Sequence, residues 1–151
     1  MRQVLAVQSF PASVHEAERC WYDTSRWESW VDGLDRVVQI DAPWPMVGGS
    51  VAWESGPAGR GRVTETVVAY TPADGQTVEV TDDTVTGRQA VTFAATGDGV
   101  EVTLRLEYRL RRRSLVTPVV DALFIRREMS LSLSRSLARF GARLRADRSR
   151  R

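Results

Sequence analysis

Hydrophobic and polar positions along this chain change their period twice. Gln3 to Phe10 alternates, with Val4, Ala6 and Gln8 on one face and Leu5, Val7 and Ser9 on the other, which predicts an opening strand. Ser13 follows Pro11 with Glu16 three residues on, the arrangement of a capping box. Val14, Ala17, Cys20 and Trp21 then give a short helix, broken at Asp23-Thr24-Ser25. Trp27 to Val31 predicts a second short helix, ended by Asp32-Gly33. From there the period falls to two, with strands expected at 36–40, 50–55, 62–70, 76–82, 89–96 and 100–110. Turn chemistry separates them, notably Pro72-Ala73-Asp74-Gly75 and Gly97-Asp98-Gly99. The last strand is the clearest: Val102, Leu104, Leu106, Tyr108 and Leu110 alternate with Glu101, Thr103, Arg105, Glu107 and Arg109.

The period then returns to about 3.6 from Val116 to Arg148. Val119, Ala122, Met129, Leu133, Leu137, Phe140 and Leu144 share one side of this helix, and Arg127, Arg135, Arg145 and Asp147 the other. At about 1.5 Å per residue it runs roughly 45–50 Å and needs an apolar surface to receive its stripe. Only the strands offer one. Tight turns make them antiparallel, and clean alternation means that one face is covered and the other wet. The fold class expected is therefore α+β: a curved antiparallel sheet of six to seven strands around a long C-terminal helix, with two short helices after the first strand.

Composition narrows this picture. One domain over 1–151 is expected from the length, with an Arg-rich tail at about 146–151. No run of about 18 apolar residues is present, and MRQVLAVQSF runs into Pro11 without a secretory pattern, so a cytoplasmic protein is expected. The single cysteine, Cys20, leaves no partner for an internal disulfide. One histidine, His15, argues against a His/Cys zinc site, and neither metal nor cofactor is expected. Charge is unevenly placed. Residues 1–110 hold nine Arg against sixteen acids, whereas residues 111–151 hold twelve Arg against three. The basic segment reads first as a solvated helix face, so no nucleic-acid partner is expected. Peripheral contact with an anionic membrane and a homodimer stay as candidate partnerships, through a second apolar row of Phe124, Leu131, Ala138 and Ala142.

The chain resembles the START-like, helix-grip superfamily (SRPBCC) that includes polyketide cyclases, dehydrases and lipid-transfer domains. The residues that carry the resemblance are Val4-Leu5-Ala6-Val7-Gln8-Ser9-Phe10-Pro11-Ala12, then Trp21-Tyr22-Asp23, Trp27-Glu28-Ser29-Trp30 and Gly48-Gly49-Ser50. It implies an apolar cavity between sheet and helix, but no single activity, because one fold hosts enzymes, carriers and receptors.

Candidate chemistry lies where polar residues fall on apolar faces. Glu65 alternates with Val63 and Val67 and so points inward unless the strand bulges near Gly61. Arg126 projects from the helix stripe, either into the interior or snorkelling to its rim. An inward pair would meet each other or a ligand's polar group. The cavity lining expected is Trp53, Glu65, Val67, Val80, Phe93, Leu106, Tyr108, Arg126, Met129 and Leu133. His15 reads as a surface residue, Cys20 as a small buried hydrophobe, and Asp82-Asp83 as a turn rather than a metal pair. The leading expectation is binding of a small hydrophobic or amphipathic ligand, lipid or polyketide-like. A cyclase or dehydrase using Tyr108, Glu65 or Arg126, and an interaction or membrane-surface module built on the basic helix, are the alternatives.

Overall fold

The computed structural model describes residues 2–57, 59–111 and 118–150, with side chains of the final helix described from residue 123 onward. Strand β1 (Arg2–Phe10) is followed by α1 (Val14–Tyr22), a single 3-10 turn (Thr24–Arg26) and α2 (Trp27–Trp30). Six further strands follow: β2 (Leu34–Asp41), β3 (Ser50–Ser55), β4 (Arg62–Thr71), β5 (Gly75–Thr81), β6 (Val85–Ala95) and β7 (Val100–Leu110). Helix α3 (Pro118–Ser149) ends the chain. Its expected start near Val116 lies outside the described residues, as do the side chains of Val119 and Ala122. The seven strands make one antiparallel sheet in the order β1-β7-β6-β5-β4-β3-β2. The tight turns explain the consecutive pairing from β2 to β7. Strand β1 closes the other edge in register with β7, Val4 opposite Leu106. Register shifts in β2 and at Val67/Ala69 of β4 add the local bends that help the sheet curve. This is the helix-grip architecture.

Local chemistry explains the boundaries. Ser13 Oγ accepts from the Glu16 amide at 3.0 Å, while Glu16 Oε1 accepts from the Ser13 amide, so the capping box forms. Strand β6 starts at Val85 rather than Gln89 because the Asp82 carboxylate accepts from the amides of Thr84 and Val85. That side chain replaces the turn's missing backbone partners and lets pairing with β7 extend to Leu110.

The stripe of α3 is buried at Met129, Leu133, Leu137, Phe140 and Leu144. Its C-terminal half lies across β1 and against α1 and α2. Gly141 permits the close approach, since a Cβ there would stand 2.6 Å from the Phe10 ring. Beneath it an aromatic cluster fills the core: Phe140 packs edge-on against Phe10, Trp21 and Trp30, and Trp21 against Phe93. Cys20 is buried and its thiol is pushed up to about 12, first by burial and then by Asp147, so it stays protonated and behaves as a small hydrophobe. His15 is exposed. Among the described residues, no helix is long and apolar enough to cross a membrane.

Candidate functional site

The interior is not packed throughout. Where α3 faces β3, the loop after α2 and the turns before β4 and β6, a cleft of about 330 Å³ opens between them. Its apolar walls are Trp53, Phe124, Ile125 and Met129, and its polar rim includes Asp32, Arg60, Glu128 and Ser132. Below it lies a smaller chamber of about 50 Å³ that shares Asp32, Trp53, Arg60 and Ser132 with the cleft. The chamber reaches the sheet at Val63, Glu65, Val80, Gln89 and Leu104, and the short helices at Trp21, Trp27 and Trp30. A large apolar recess with a few convergent polar groups is the usual form of a small-molecule site.

Glu65 owes its inward position to plain strand alternation. Val63, Glu65 and Val67 are all buried, while Arg62 and Thr64 face outward. No bulge intervenes before it, so the carboxyl is 8 % exposed in the chamber wall. Trp53 Nε1 donates to its Oε2 at 2.7 Å. Burial pushes the carboxyl above the usual Glu range, and the Trp53 indole and the Arg60 guanidinium pull part of that back. The site therefore contains an acid that is easier to protonate than an exposed one.

Arg60 stands at the junction of chamber and cleft. Its Nε donates to Asp82 Oδ2, and Asp82 is only 2 % exposed. Gly61 follows at φ +74°, and a Cβ there would collide with the Asp83 carboxylate, so the turn that presents Arg60 requires glycine. Across the cleft, Ser136 Oγ accepts from the Asp32 amide at 2.8 Å, and Arg139 pairs with the Asp32 carboxylate at 3.1 Å. These bonds tie α3 to the loop after α2. Trp30 Nε1 is buried with no hydrogen-bond partner among the described residues.

Of the residues expected to line a cavity, Trp53, Glu65, Val80 and Leu133 face the chamber, and Met129 and Trp53 face the cleft. Val67, Phe93, Leu106 and Tyr108 do not line it. They are packed into the core, Phe93 among the rings of Trp21 and Tyr22 and the other three at or below 2 % exposure. The reason is that the aromatic side chains of α1 and α2 occupy the middle of the sheet, while β7 lies beside β1 under the closed part of the molecule.

Arg126 is exposed and does not meet Glu65. The cleft lies on the Ile125, Met129 and Ser132 side of α3, roughly a quarter-turn from Arg126 at about 100° per residue. Its charge instead reaches Tyr108, whose phenol is raised by burial against the opposing pull of Arg2 and Arg126. Sequence reasoning missed Arg60, Gln89, Ser132 and Ser136, and it took Trp30 as a motif residue only. In the sequence Gly59-Arg60-Gly61 shows only two glycines flanking an arginine; the signal that matters, a buried aspartate to hold it, exists only in three dimensions. Asp82 does serve its turn, as expected, and it also anchors Arg60. Among the described residues no cluster of His, Cys, Asp and Glu is arranged to hold a metal ion.

Several solved structures share this architecture. The di-domain ARO/CYC StfQ from the steffimycin biosynthetic pathway matches with a TM-score of 0.78 at 13% identity, over 97% of this chain and 51% of that one. A conserved protein from Geobacillus kaustophilus matches with a TM-score of 0.77 at 10% identity, over 96% of each chain. A protein from Thermus thermophilus matches with a TM-score of 0.75 at 15% identity, over 97% of this chain and 99% of that one. Identities this low speak for the fold alone. No curated protein matches the sequence. The family model described as polyketide cyclase/dehydrase and lipid transport matches residues 1–145, and the chain belongs to that family.

Proposed function

We propose that this protein binds a small hydrophobic or amphipathic molecule, lipid or polyketide-like, in the cleft beneath the N-terminal half of α3. The observation that carries the reading is the recess itself: about 330 Å³ walled by Trp53, Phe124, Ile125 and Met129, with a few polar groups, among them Asp32, Arg60, Glu128 and Ser132, around it. Burial of apolar ligand surface there contributes about 25 cal/mol per Å² removed from water. A volume at the low end of ordinary ligand sites favours a body of two or three fused rings, or a short acyl chain. Native mass spectrometry of gently purified protein should find an added apolar mass. Protein that is always ligand-free, with a melting temperature unmoved by a panel of apolar compounds, would overturn the reading.

One observation favours a second reading, a cyclase or dehydrase-type enzyme. Glu65 is a buried acid with a raised pKa beside Arg60, which is the kind of pair that proton transfer and oxyanion stabilisation require. Turnover of a poly-β-ketone thioester that disappears in Glu65→Gln while the apolar ligand still binds would establish it. Equal product with and without protein would remove it.

A further inference from the structure

Trp30 borders the chamber below the cleft, and its indole carries a buried hydrogen-bond donor that the fold leaves unused. Trp30 is 3 % exposed, lines the chamber, and its Nε1 has no acceptor among the described residues. Three other indoles of the region donate within the chain: Trp27 Nε1 to the Trp21 carbonyl at 2.8 Å, Trp44 Nε1 to the Tyr22 carbonyl at 3.0 Å, and Trp53 Nε1 to Glu65. Buried donors are normally paired. Tyr22 Oη and Tyr108 Oη are also buried without a partner among the described residues, but neither residue lines this chamber; at Trp30 an acceptor can come from a group that enters it. Acceptors face the same chamber: Glu65, whose carboxyl takes one indole bond, and the amide of Gln89. A chamber of about 50 Å³ has room for a few water-sized groups but not for a ring, so its polar lining converges on one small substituent.

We infer that the chamber is a subsite for a single neutral hydroxyl carried on the apolar ligand, which accepts from Trp30 Nε1 and donates to Glu65 or Gln89, while the ligand's body stays in the cleft. A hydroxyl fits where other groups do not. It both accepts and donates, so it serves the indole and the acceptors together. A carboxylate would meet Arg60 but brings no proton for Glu65 or the Gln89 carbonyl, and a methyl group would leave Trp30 Nε1 unpaired. This rests on the cleft being the ligand site, and the test separates the two ideas.

The probes are naphthalene and 2-naphthol, titrated against the full chain and followed by tryptophan fluorescence. In a recess that recognises only apolar surface, naphthalene is the stronger ligand, because the hydroxyl must give up its water. With the subsite, 2-naphthol binds about tenfold more tightly than naphthalene, the scale of one well-made buried hydrogen bond. Trp30→Phe removes that preference, judged by the ratio of the two affinities so that a general loosening of the site cancels. A second measurement needs no variant: with ¹⁵N-labelled tryptophan, the Trp30 indole proton moves downfield on adding 2-naphthol and does not on adding naphthalene. If naphthalene binds as well as 2-naphthol, if the preference survives Trp30→Phe, or if the indole signal stays in place, the subsite is wrong while the cleft stands. If neither compound binds, the cleft and the subsite fall together.

Discussion

The two halves of α3 are one continuous helix doing two different things. From Leu137 to Leu144 its stripe is pressed onto β1, α1 and α2, and Phe140 is completely buried among Phe10, Trp21 and Trp30. In the N-terminal part the same helix overhangs the cleft, with Phe124 64 % exposed, Leu123 exposed beside it and Ile125 half-buried. A closed core and an open wall thus alternate along a single element. The sheet and the short helices decide which is which. Where the tryptophans of α1 and α2 fill the space, the helix is clamped; where they end, the recess begins. On the proposed reading stability is concentrated in one half and ligand contact in the other, and substitutions in the two halves should separate those properties.

The largest separation is expected at Phe140. Phe140→Ala should cost about 3–5 kcal/mol, because a fully buried ring leaves a cavity that neighbouring rings cannot fill. Chemical denaturation measures it; a loss below about 1 kcal/mol would mean that the C-terminal half is not the clamp. Gly141→Ala, on the same turn, should cost about 1–3 kcal/mol by forcing the Phe10 ring aside. No change in its melting temperature would show that α3 sits further from β1 than its contacts imply.

Glu65 sharpens the comparison from the cleft side. Its pKa is raised in the folded state, so the folded protein binds the proton more tightly than the unfolded chain does. The stability tied to this group is fully present below the ordinary Glu value and is lost as pH rises through the higher folded value. Glu65→Gln should therefore be more stable than the parent at neutral pH and should flatten the decline of stability above the usual Glu range. Melting curves across pH test this; parallel curves for parent and variant would mean that the carboxyl is not desolvated.

The smallest effects belong to the overhanging part. Phe124→Ala should weaken naphthalene binding about fivefold through lost apolar contact, yet change stability by less than about 0.5 kcal/mol. Arg126→Ala should change neither quantity measurably, since its side chain is exposed and turned away from the cleft. A marked binding loss in Arg126→Ala would move the site to the other side of the helix. The exposed Leu123, Phe124 and Leu131 also give a concentration-dependence test: sedimentation that stays monomeric at high concentration leaves Phe124 to the ligand alone.

Much of this molecule was determined by local pattern. The alternation in β4, β5 and β7, the capping box at Ser13 and the helical stripe from Met129 to Leu144 each follow from neighbours close in sequence, and the fold class follows from their order. Glu65 facing inward was legible for the same reason, because a strand without a bulge has only two faces. What the pattern could not specify is how far two surfaces stand apart. Whether Tyr108 and Leu106 line open space or solid core depends on how closely elements distant in sequence pack over the sheet, and both are buried. Whether Arg126 meets Glu65 depends on the rotation of α3 about its own axis, set by Phe10, Gly141 and the Asp32–Ser136 bond. Arg60 acquires a role only because Asp82, from another turn, is buried beside it. Periodicity tells each residue which way to face; the distance to what it faces is a tertiary property, and the site is made of such distances.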